Sequence, residues 1–170
     1  MEKEQLQKAL ENHKKWLDSE WKEGEPLHLI GEDLRGLDLS NLNLEHACFE
    51  CSDLTGANFK NTNLAIASLS AAYLSQANLS GANLLGAELM EADLEGADLS
   101  GACLEVAFME SANLRNANLT GAKLTDADLS FSDLRGADLT DTDLTDADFT
   151  SADLTGAELR KKNHGKKGEL

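Results

Sequence analysis

Apolar residues recur at every fifth position along most of the chain. The stretch EADLEGADLSGA at residues 91–102 shows two turns of this cycle, with alanine in one position and leucine two residues later. Stepping by five from Leu99 meets an apolar residue every time, back to Leu34 and on to Leu159. A period of five fits neither an amphipathic helix nor an alternating strand, so the pattern predicts a repeat architecture of the solenoid type.

Each five-residue unit has two apolar positions. We call the large apolar residue, such as Leu99, the central residue; the position two before it is small, as at Ala97. The other three positions are mostly polar, so the sequence predicts a narrow core with two inward side chains per unit. Each buried leucine should contribute roughly 1.5 to 3 kcal/mol relative to exposure.

The recurring A(D/N)LxG pattern, where x is often Ser or Thr, resembles the pentapeptide-repeat family over residues 29–160. This resemblance implies a right-handed, four-sided β-helix in which one pentapeptide forms each side and twenty residues make a coil. The expected fold is therefore an all-β solenoid, a right-handed quadrilateral β-helix of about six and a half coils over residues 27–160, with an N-terminal α-helical cap.

On this geometry the central residues lie on four faces, in the order of the chain. The first face holds Leu34, Leu54, Leu74, Leu94, Leu114, Leu134 and Leu154, and the second holds Leu39, Phe59, Leu79, Leu99, Leu119, Leu139 and Leu159. The third holds Leu44, Leu64, Leu84, Leu104, Leu124 and Leu144, and the fourth holds Phe49, Leu69, Leu89, Met109, Leu129 and Phe149.

Glycines predict the turn type at the corners. Nine glycines fall two positions after a central residue of the first three faces, for example Gly56, Gly81 and Gly86. A type II turn needs positive φ at its second central residue, which glycine adopts without steric cost. We therefore expect type II turns after the first two faces and a different type after the fourth, whose six central residues are followed by no glycine.

The N-terminal segment predicts an amphipathic helix over residues 2–23, within a capping unit of residues 1–24. Gly24 and Pro26 are the expected stop signal. We expect Leu10, Trp16 and Leu17 to cover the first coil, because terminal repeats must be capped for solubility. The alternative is a partner-binding or membrane-surface helix. Residues 161–170 are basic and are predicted to be a disordered tail.

Composition indicates the structural class of the chain and its cellular compartment. At 170 residues with 41% hydrophobic residues and one proline, the chain is expected to be a single ordered domain. It has no apolar run long enough to span a bilayer, and its N-terminus is too polar for a secretory signal. Three cysteines without an export signal favour the cytoplasm.

Candidate chemistry is sparse. Cys48 and Cys51 have C-x-x-C spacing with His46 just before them, but Cys103 belongs to another face, so a four-ligand zinc site cannot be assembled. No catalytic triad or phosphate-binding loop stands out. We therefore expect no metal, no cofactor and no enzyme activity, and the sequence does not indicate a role for Cys48 and Cys51.

Charge is the strongest functional signal. Residues 32–160 contain 23 acidic against six basic side chains, a balance of −17, which disfavours direct binding of nucleic acid. The coils should form a rod on the order of 30 Å long. Duplex DNA of that length has about eighteen phosphate charges. The interpretation that assigns this charge no binding role is that the acidic residues keep a repeat protein soluble.

The family resemblance implies a more specific reading of this charge. Some pentapeptide-repeat proteins bind type II topoisomerases such as DNA gyrase as DNA mimics and protect them from inhibitors. On this hypothesis the contact surface is the acidic C-terminal half, with Asp138, Asp143, Asp148 and Asp153 as its main residues. Such relatives dimerise through an apolar C-terminal segment, whereas residues 160–170 are polar and basic here, so we expect a monomer or a weak dimer through the C-terminal coil.

A different surface is indicated where outward positions are apolar instead of polar. Six such residues map to the third and fourth faces of the middle coils and should be neighbours: Ile66, Leu85, Met90, Val106, Phe108 and Phe131. They could form a protein-binding patch, or they could be scattered exposed residues of the ordinary kind. The function that follows is a non-catalytic protein-interaction scaffold of unknown partner, with the acidic DNA mimic as the alternative.

Overall fold

A computed structural model describes residues 3–160 of the protein. It contains one helix, α1 (Lys3–Asp18), followed by β-structure made of isolated parallel bridges between residues twenty apart. These bridges begin with His28 and Cys48 and end with Asp138 and Glu158. The bridged residue is always the one before a central residue, so each pentapeptide contributes one bridge position to its face.

Backbone hydrogen bonds between coils hold this ladder together. On the first face the Leu54 N–H donates to the Tyr73 carbonyl at 2.8 Å, and the Gly56 N–H donates to the Ser75 carbonyl at 2.9 Å. The same two bonds recur from coil to coil along the described chain. Because each repeat bonds to the coils before and after it, stability should accumulate along the solenoid.

The corners have their own hydrogen bonds, and these explain the Asp/Asn position of the repeat. The Ala57 N–H closes a turn onto the Leu54 carbonyl at 2.9 Å, while the Thr55 N–H donates to the Asp53 Oδ1 at 3.1 Å. The side-chain bond recurs in many coils, for example from the Thr140 N–H to the Asp138 Oδ1 at 2.9 Å. It satisfies a corner N–H that the ladder does not reach.

The expected difference between corners is wrong. Every described position two after a central residue, up to Gly156, has positive φ, including Cys51 (56°), Ala71 (54°) and Glu91 (58°) after the fourth face. The turn bond together with positive φ at this residue alone fits type II turns throughout. The reason is the ladder, since the Cys51 N–H donates to the Ser70 carbonyl of the next coil at 3.1 Å whatever the side chain.

The two inward positions form one continuous core. Leu99 and Ala97 are both 0% exposed, and this holds within a few per cent for the central residues from Leu34 to Leu139 and for the small position from Ala47 to Ala137. The counterparts of Ala97 in the first coil, Leu37 and Leu42, are only partly buried. Thr62 replaces the small apolar residue in one repeat and is equally buried, and its hydroxyl donates to the Leu39 carbonyl at 2.8 Å. The last central residues are less covered by the described chain, and Leu159 is 57% exposed.

Helix α1 packs its apolar side against the first coil. Leu6 is buried in the common core, and Ala9 and Leu10 are partly buried against it. Trp16 and Leu17 are also partly buried, whereas Trp21 is exposed.

The helix is shorter than the predicted residues 2–23. It ends at Asp18 because Glu20 adopts a left-handed conformation (φ 53°) and the Trp21 N–H bonds back to the Trp16 carbonyl at 2.8 Å. With the 3.1 Å bond from the Glu20 N–H to the Leu17 carbonyl, this is a Schellman motif. A glutamate therefore occupies the position that the sequence assigned to Gly24.

Gly24 permits a close approach of the backbone to α1 instead of ending the helix. Its φ is 81°, and a Cβ there would lie 2.3 Å from the Asn12 carbonyl oxygen and 2.9 Å from the Trp16 nitrogen. Glycine is therefore required for the chain to return closely along α1. Between residues 3 and 160, no helix is both long and apolar enough to cross a membrane. The predicted disordered tail, residues 161–170, lies outside the described residues.

Candidate functional site

The structure places the six predicted patch residues at or beside two corners, one after the third face and one after the fourth. Ile66 and Val106 occupy the same corner position after the third face, with Gly86 between them, and Leu85 and Phe108 adjoin that corner. Met90 and Phe131 belong to the next corner, after the fourth face. We call the group of Ile66, Leu85, Val106 and Phe108 the corner patch.

The corner patch exposes large apolar side chains to solvent. Their exposed fractions are 54% for Ile66, 39% for Leu85, 43% for Val106 and 50% for Phe108. Single exposed apolar residues are ordinary in soluble proteins, but four around one corner are typical of a binding surface.

Gly86 forms a notch within this surface. A Cβ at Gly86 would lie 3.9 Å from both the Ile66 Cγ1 and the Val106 Cγ2. The two aliphatic side chains therefore stand on either side of a position that has none. Since successive coils are about 4.8 Å apart, Ile66 and Val106 are separated by roughly twice that distance.

Two residues of the corner patch have unfavourable backbone conformations. Ile66 has φ 56° and Val106 has φ 51°, in the left-handed region. For β-branched residues this region is a genuine outlier, with a cost of order 1 to 3 kcal/mol each. The ladder imposes it, because the Ile66 N–H donates to the Leu85 carbonyl at 2.9 Å, and the Val106 N–H to the Thr125 carbonyl at 2.9 Å.

Phe108 breaks a local rule of another kind. It occupies the position that holds Asp or Asn in most repeats, and its ring has no oxygen to accept the N–H of Glu110. Asp128 holds the equivalent position in the next coil, and its Oδ1 accepts the Ser130 N–H at 2.9 Å. Phe108 therefore replaces a corner hydrogen bond with exposed apolar surface.

Carboxylates surround the corner patch. Phe108 is bridged to Glu88 on one side and to Asp128 on the other. Glu105 is the counterpart of Leu85 in the next coil, and Asp126 is the counterpart of Val106. Glu105 has the Lys123 Nζ at 3.8 Å. No Lys or Arg occurs in residues 61–114, so the middle coils present apolar and acidic groups together.

The four aspartates predicted for DNA mimicry project from the last coils. Asp143, Asp148 and Asp153 each accept both the N–H and the hydroxyl of the threonine two residues on, as at Asp148, where Thr150 donates at 2.8 and 2.6 Å. The hydrogen bond from the hydroxyl of Thr150 lowers the pKa of Asp148, and Thr155 does the same for Asp153. These carboxylates are therefore ionised and held at the corners.

Carboxylates also stack from coil to coil in this region. Asp128 is bridged to Asp148, Asp133 to Asp153, and Asp138 to Glu158. The Arg135 guanidinium offsets one of these pairs, because it forms an ion pair with Asp133 and lies 3.6 Å from the Asp153 carboxylate. The remaining stacks give rows of negative charge at the coil spacing of about 4.8 Å.

The C-x-x-C segment lies beside an aromatic cluster. The His46 ring contacts Trp16 and Trp21 edge-on, with centroid distances of 6.0 and 5.9 Å. Cys48 is partly exposed at a bridge position, where burial raises the pKa of its thiol, and Cys51 is exposed at a corner. Among the described residues, no group of three or more His, Cys, Asp or Glu could hold a metal ion.

His13 is the residue whose role the sequence did not indicate beyond packing. It is 1% exposed, its ring stacks on Trp16, and its Nδ1 accepts the Leu27 N–H at 3.0 Å. The Nε2 is buried without a partner within the described structure. Burial lowers the pKa of His13, and His46 and His28 lower it further by charge repulsion. A histidine on an apolar helix face gives no sign of this backbone bond, which depends on the fold.

The class of protein follows from these features. Parallel bridges at twenty-residue intervals, four left-handed corners per coil and two inward side chains per repeat define a four-sided β-solenoid. The model for pentapeptide repeats matches the chain in eight copies, over residues 28–56, 67–105, 107–130 and 127–161. The chain belongs to the pentapeptide-repeat family, whose members form right-handed quadrilateral β-helices.

Solved structures that are similar to this chain include other pentapeptide-repeat proteins. Rfr23, a pentapeptide-repeat protein from the cyanobacterium Cyanothece 51142, is 23% identical, with a TM-score of 0.50, over 90% of this chain and 99% of that chain. HetL from the cyanobacterium Nostoc sp. strain PCC 7120, involved in regulation of heterocyst differentiation, is 28% identical over 76% of this chain and 87% of that chain, with a TM-score of 0.45.

A third similar structure is QnrB1, a plasmid-mediated fluoroquinolone resistance protein. It is 24% identical over 78% of this chain and 89% of that chain, with a TM-score of 0.49. No curated protein sequence matches the chain significantly.

Proposed function

We propose that the protein is a non-catalytic protein-interaction scaffold whose binding surface is the corner patch. The observation that supports this most directly is that Ile66, Leu85, Val106 and Phe108 are all exposed around one corner of the solenoid. The solenoid provides a rigid support, because the core behind the patch is fully buried. Binding surfaces are commonly of this kind, with apolar groups at the centre and polar groups at the rim.

The test compares the proteins that the parent and a patch variant retain from a cell extract. The parent and a Val106→Asn/Phe108→Asn double variant are each used as bait in an extract of the source cell. We expect one or more proteins to bind the parent and to be lost from the variant. A matched Asn118→Ser variant on the second face, away from the patch, should retain them. Identical sets of proteins on parent and patch variant would refute this function.

The same proposal includes how the scaffold is built and where it works. Helix α1 caps the first coil, and the solenoid behind it comprises about six and a half coils, which is supported by the bridges from residue 28 to residue 158. Deletion of residues 1–24 should then expose the first coil and cause oligomerisation, whereas an unchanged monomer with unchanged melting would show that α1 serves a partner instead. The three free cysteines support a reducing compartment such as the cytoplasm.

A second candidate function is DNA mimicry toward a type II topoisomerase, favoured by the stacked carboxylates of the last coils. Changing Asp138, Asp143, Asp148 and Asp153 to Asn removes four charges. The fold should survive, because the amide oxygen can still accept the corner N–H. The assay is protection of the topoisomerase from an inhibitor that traps cleaved DNA.

The control for mimicry is an equal charge change elsewhere, at Asp38, Asp53, Asp93 and Asp98. Mimicry predicts protection by the parent, loss of protection in the C-terminal variant and retention in the control. Absence of protection by the parent, or the same protection by both variants, would eliminate this candidate.

A further inference from the structure

We propose that the corner patch binds a basic amphipathic segment of its partner, with one aliphatic side chain of that segment seated in the notch at Gly86. The inference rests on the proposed scaffold function and names the class of occupant. Its evidence is the coincidence of three features at one corner: strained aliphatic residues, a side-chain-sized notch and an acidic border.

The first argument is that the corner patch is unfavourable for the solenoid itself. Ile66 (φ 56°) and Val106 (φ 51°) occupy left-handed positions at a corner where other coils have smaller or polar residues, such as Gly86 between them and Asp126 in the coil after Val106. Phe108 gives up a corner hydrogen bond that aspartate makes at Asp128. Departures from the local rules of a fold that bring no gain to the fold are expected at functional positions.

The second argument concerns shape. The Ile66 Cγ1 and Val106 Cγ2 both lie at van der Waals distance, 3.9 Å, from where a Gly86 Cβ would be. An incoming aliphatic group can take that place and contact both walls at once. Leu85 and Phe108 extend the apolar surface on either side, which suits a segment with apolar residues along one face.

The third argument is charge complementarity. Glu88, Glu105, Asp126 and Asp128 border the corner patch, and the Lys123 Nζ, which lies 3.8 Å from the Glu105 carboxylate, offsets one of these four charges. Lysine or arginine residues flanking the apolar face of a partner would meet these carboxylates. A second copy of this acidic chain or a nucleic acid would be repelled by the same border.

The experiment uses the full-length protein and three labelled peptides, with binding measured by fluorescence anisotropy. The first peptide is a short amphipathic helix of Leu and Lys, the second has Glu in place of Lys, and the third has the Leu/Lys composition in an order without an apolar face. We expect only the first to bind well. Its affinity should decrease with added salt without vanishing, because apolar contacts remain.

Variants of the chain then locate the binding site. Val106→Asn and Phe108→Asn introduce a residue that pentapeptides on other faces hold at the equivalent positions, as at Asn116 and Asn113, so thermal unfolding should be unchanged or raised while affinity decreases about tenfold or more. Gly86→Ala fills the notch and should weaken binding. Gly101→Ala is its match, since Gly101 has nearly the same φ (64° against 61°) and no atom within 4 Å, and it should leave binding unchanged.

The outcomes separate this inference from the scaffold function. Equal binding of the Lys and Glu peptides, or Lys-peptide binding that Val106→Asn and Gly86→Ala leave intact, would overturn the inference. If the parent binds none of the peptides but the patch variant loses proteins from the cell extract, the scaffold function holds and the basic segment is wrong. If neither experiment depends on the corner patch, both fail.

Discussion

Acidification should weaken the packing of α1, because His13 can hold its place only as a neutral imidazole. Its Nδ1 accepts the Leu27 N–H at 3.0 Å in a site where the side chain is 1% exposed. The imidazolium has a hydrogen on both nitrogens and cannot accept this bond. A buried N–H left without an acceptor costs about 1 to 3 kcal/mol, and burial of the charged ring adds to that cost.

The sign of the pH dependence follows from the direction of the pKa shift. Burial lowers the pKa of His13 in the folded protein below its ordinary value of 6.5, and the charges of His46 and His28 act in the same direction. Glu45, which has the His46 Nε2 at 3.9 Å, is the nearby acidic group on the first coil. The stabilisation is therefore complete above pH 6.5 and is lost as the pH falls through 6.5 toward the folded pKa.

The two tryptophans make this measurable. Both lie in or just after α1, at Trp16 and Trp21, so tryptophan fluorescence during urea unfolding reports on this region. We expect the transition to move to lower urea between about pH 7.5 and about pH 5. His13→Asn, which offers an amide oxygen but does not titrate, should flatten this dependence, whereas His28→Asn should retain most of it.

A parent transition that does not move over this pH range would refute the argument. The same shift in His13→Asn as in the parent would assign it to another group.

Two further predictions concern the core and the return of the chain after α1. Leu99→Asp places a carboxylate in the fully buried core and should lower the free energy of unfolding by roughly several kcal/mol. Asn78→Asp keeps the oxygen that accepts the Ser80 N–H and should be nearly silent in chemical denaturation. Equal losses of stability would contradict the inward assignment of Leu99. Gly24→Ala forces a Cβ against the Asn12 carbonyl and should lower the melting temperature more than Gly31→Ala, where φ is also positive (66°) but nothing lies within 4 Å; equal effects would show that α1 and residue 24 are not in contact.

The solenoid was predictable because its core repeats in register. An insertion of one residue would turn Leu99 and every later central residue outward, so a phase kept from Leu34 to Leu159 leaves few alternatives to a stacked coil. The same logic marks Ile66 and Val106 as exceptions before any coordinates exist. The exposure of these side chains and the notch at Gly86 needed the structure.

The remaining features depend on contacts that sequence patterns do not contain. Glycine content predicted a second turn type after the fourth face, but Cys51 and Ala71 adopt the same conformation because the neighbouring coils bond their N–H groups. Likewise the end of α1 was assigned to Gly24, whereas Glu20 provides the left-handed residue. In both cases hydrogen bonding overrides the intrinsic preference of the residue.

This hydrogen-bond constraint makes bulky residues at the outward corner positions informative. The ladder holds the corner positions in the left-handed conformation, which Gly and Asn adopt with the least strain. A bulky residue there is strained unless another contact compensates. His46 (φ 62°) has one, since its ring packs against Trp16 and Trp21. Ile66 and Val106 flank the notch at Gly86, and the Ile66 Cγ1 and the Val106 Cγ2 each lie 3.9 Å from the position that a Gly86 Cβ would take. A molecule bound in this notch would contact both side chains, which is the physical basis for placing the proposed partner at this corner.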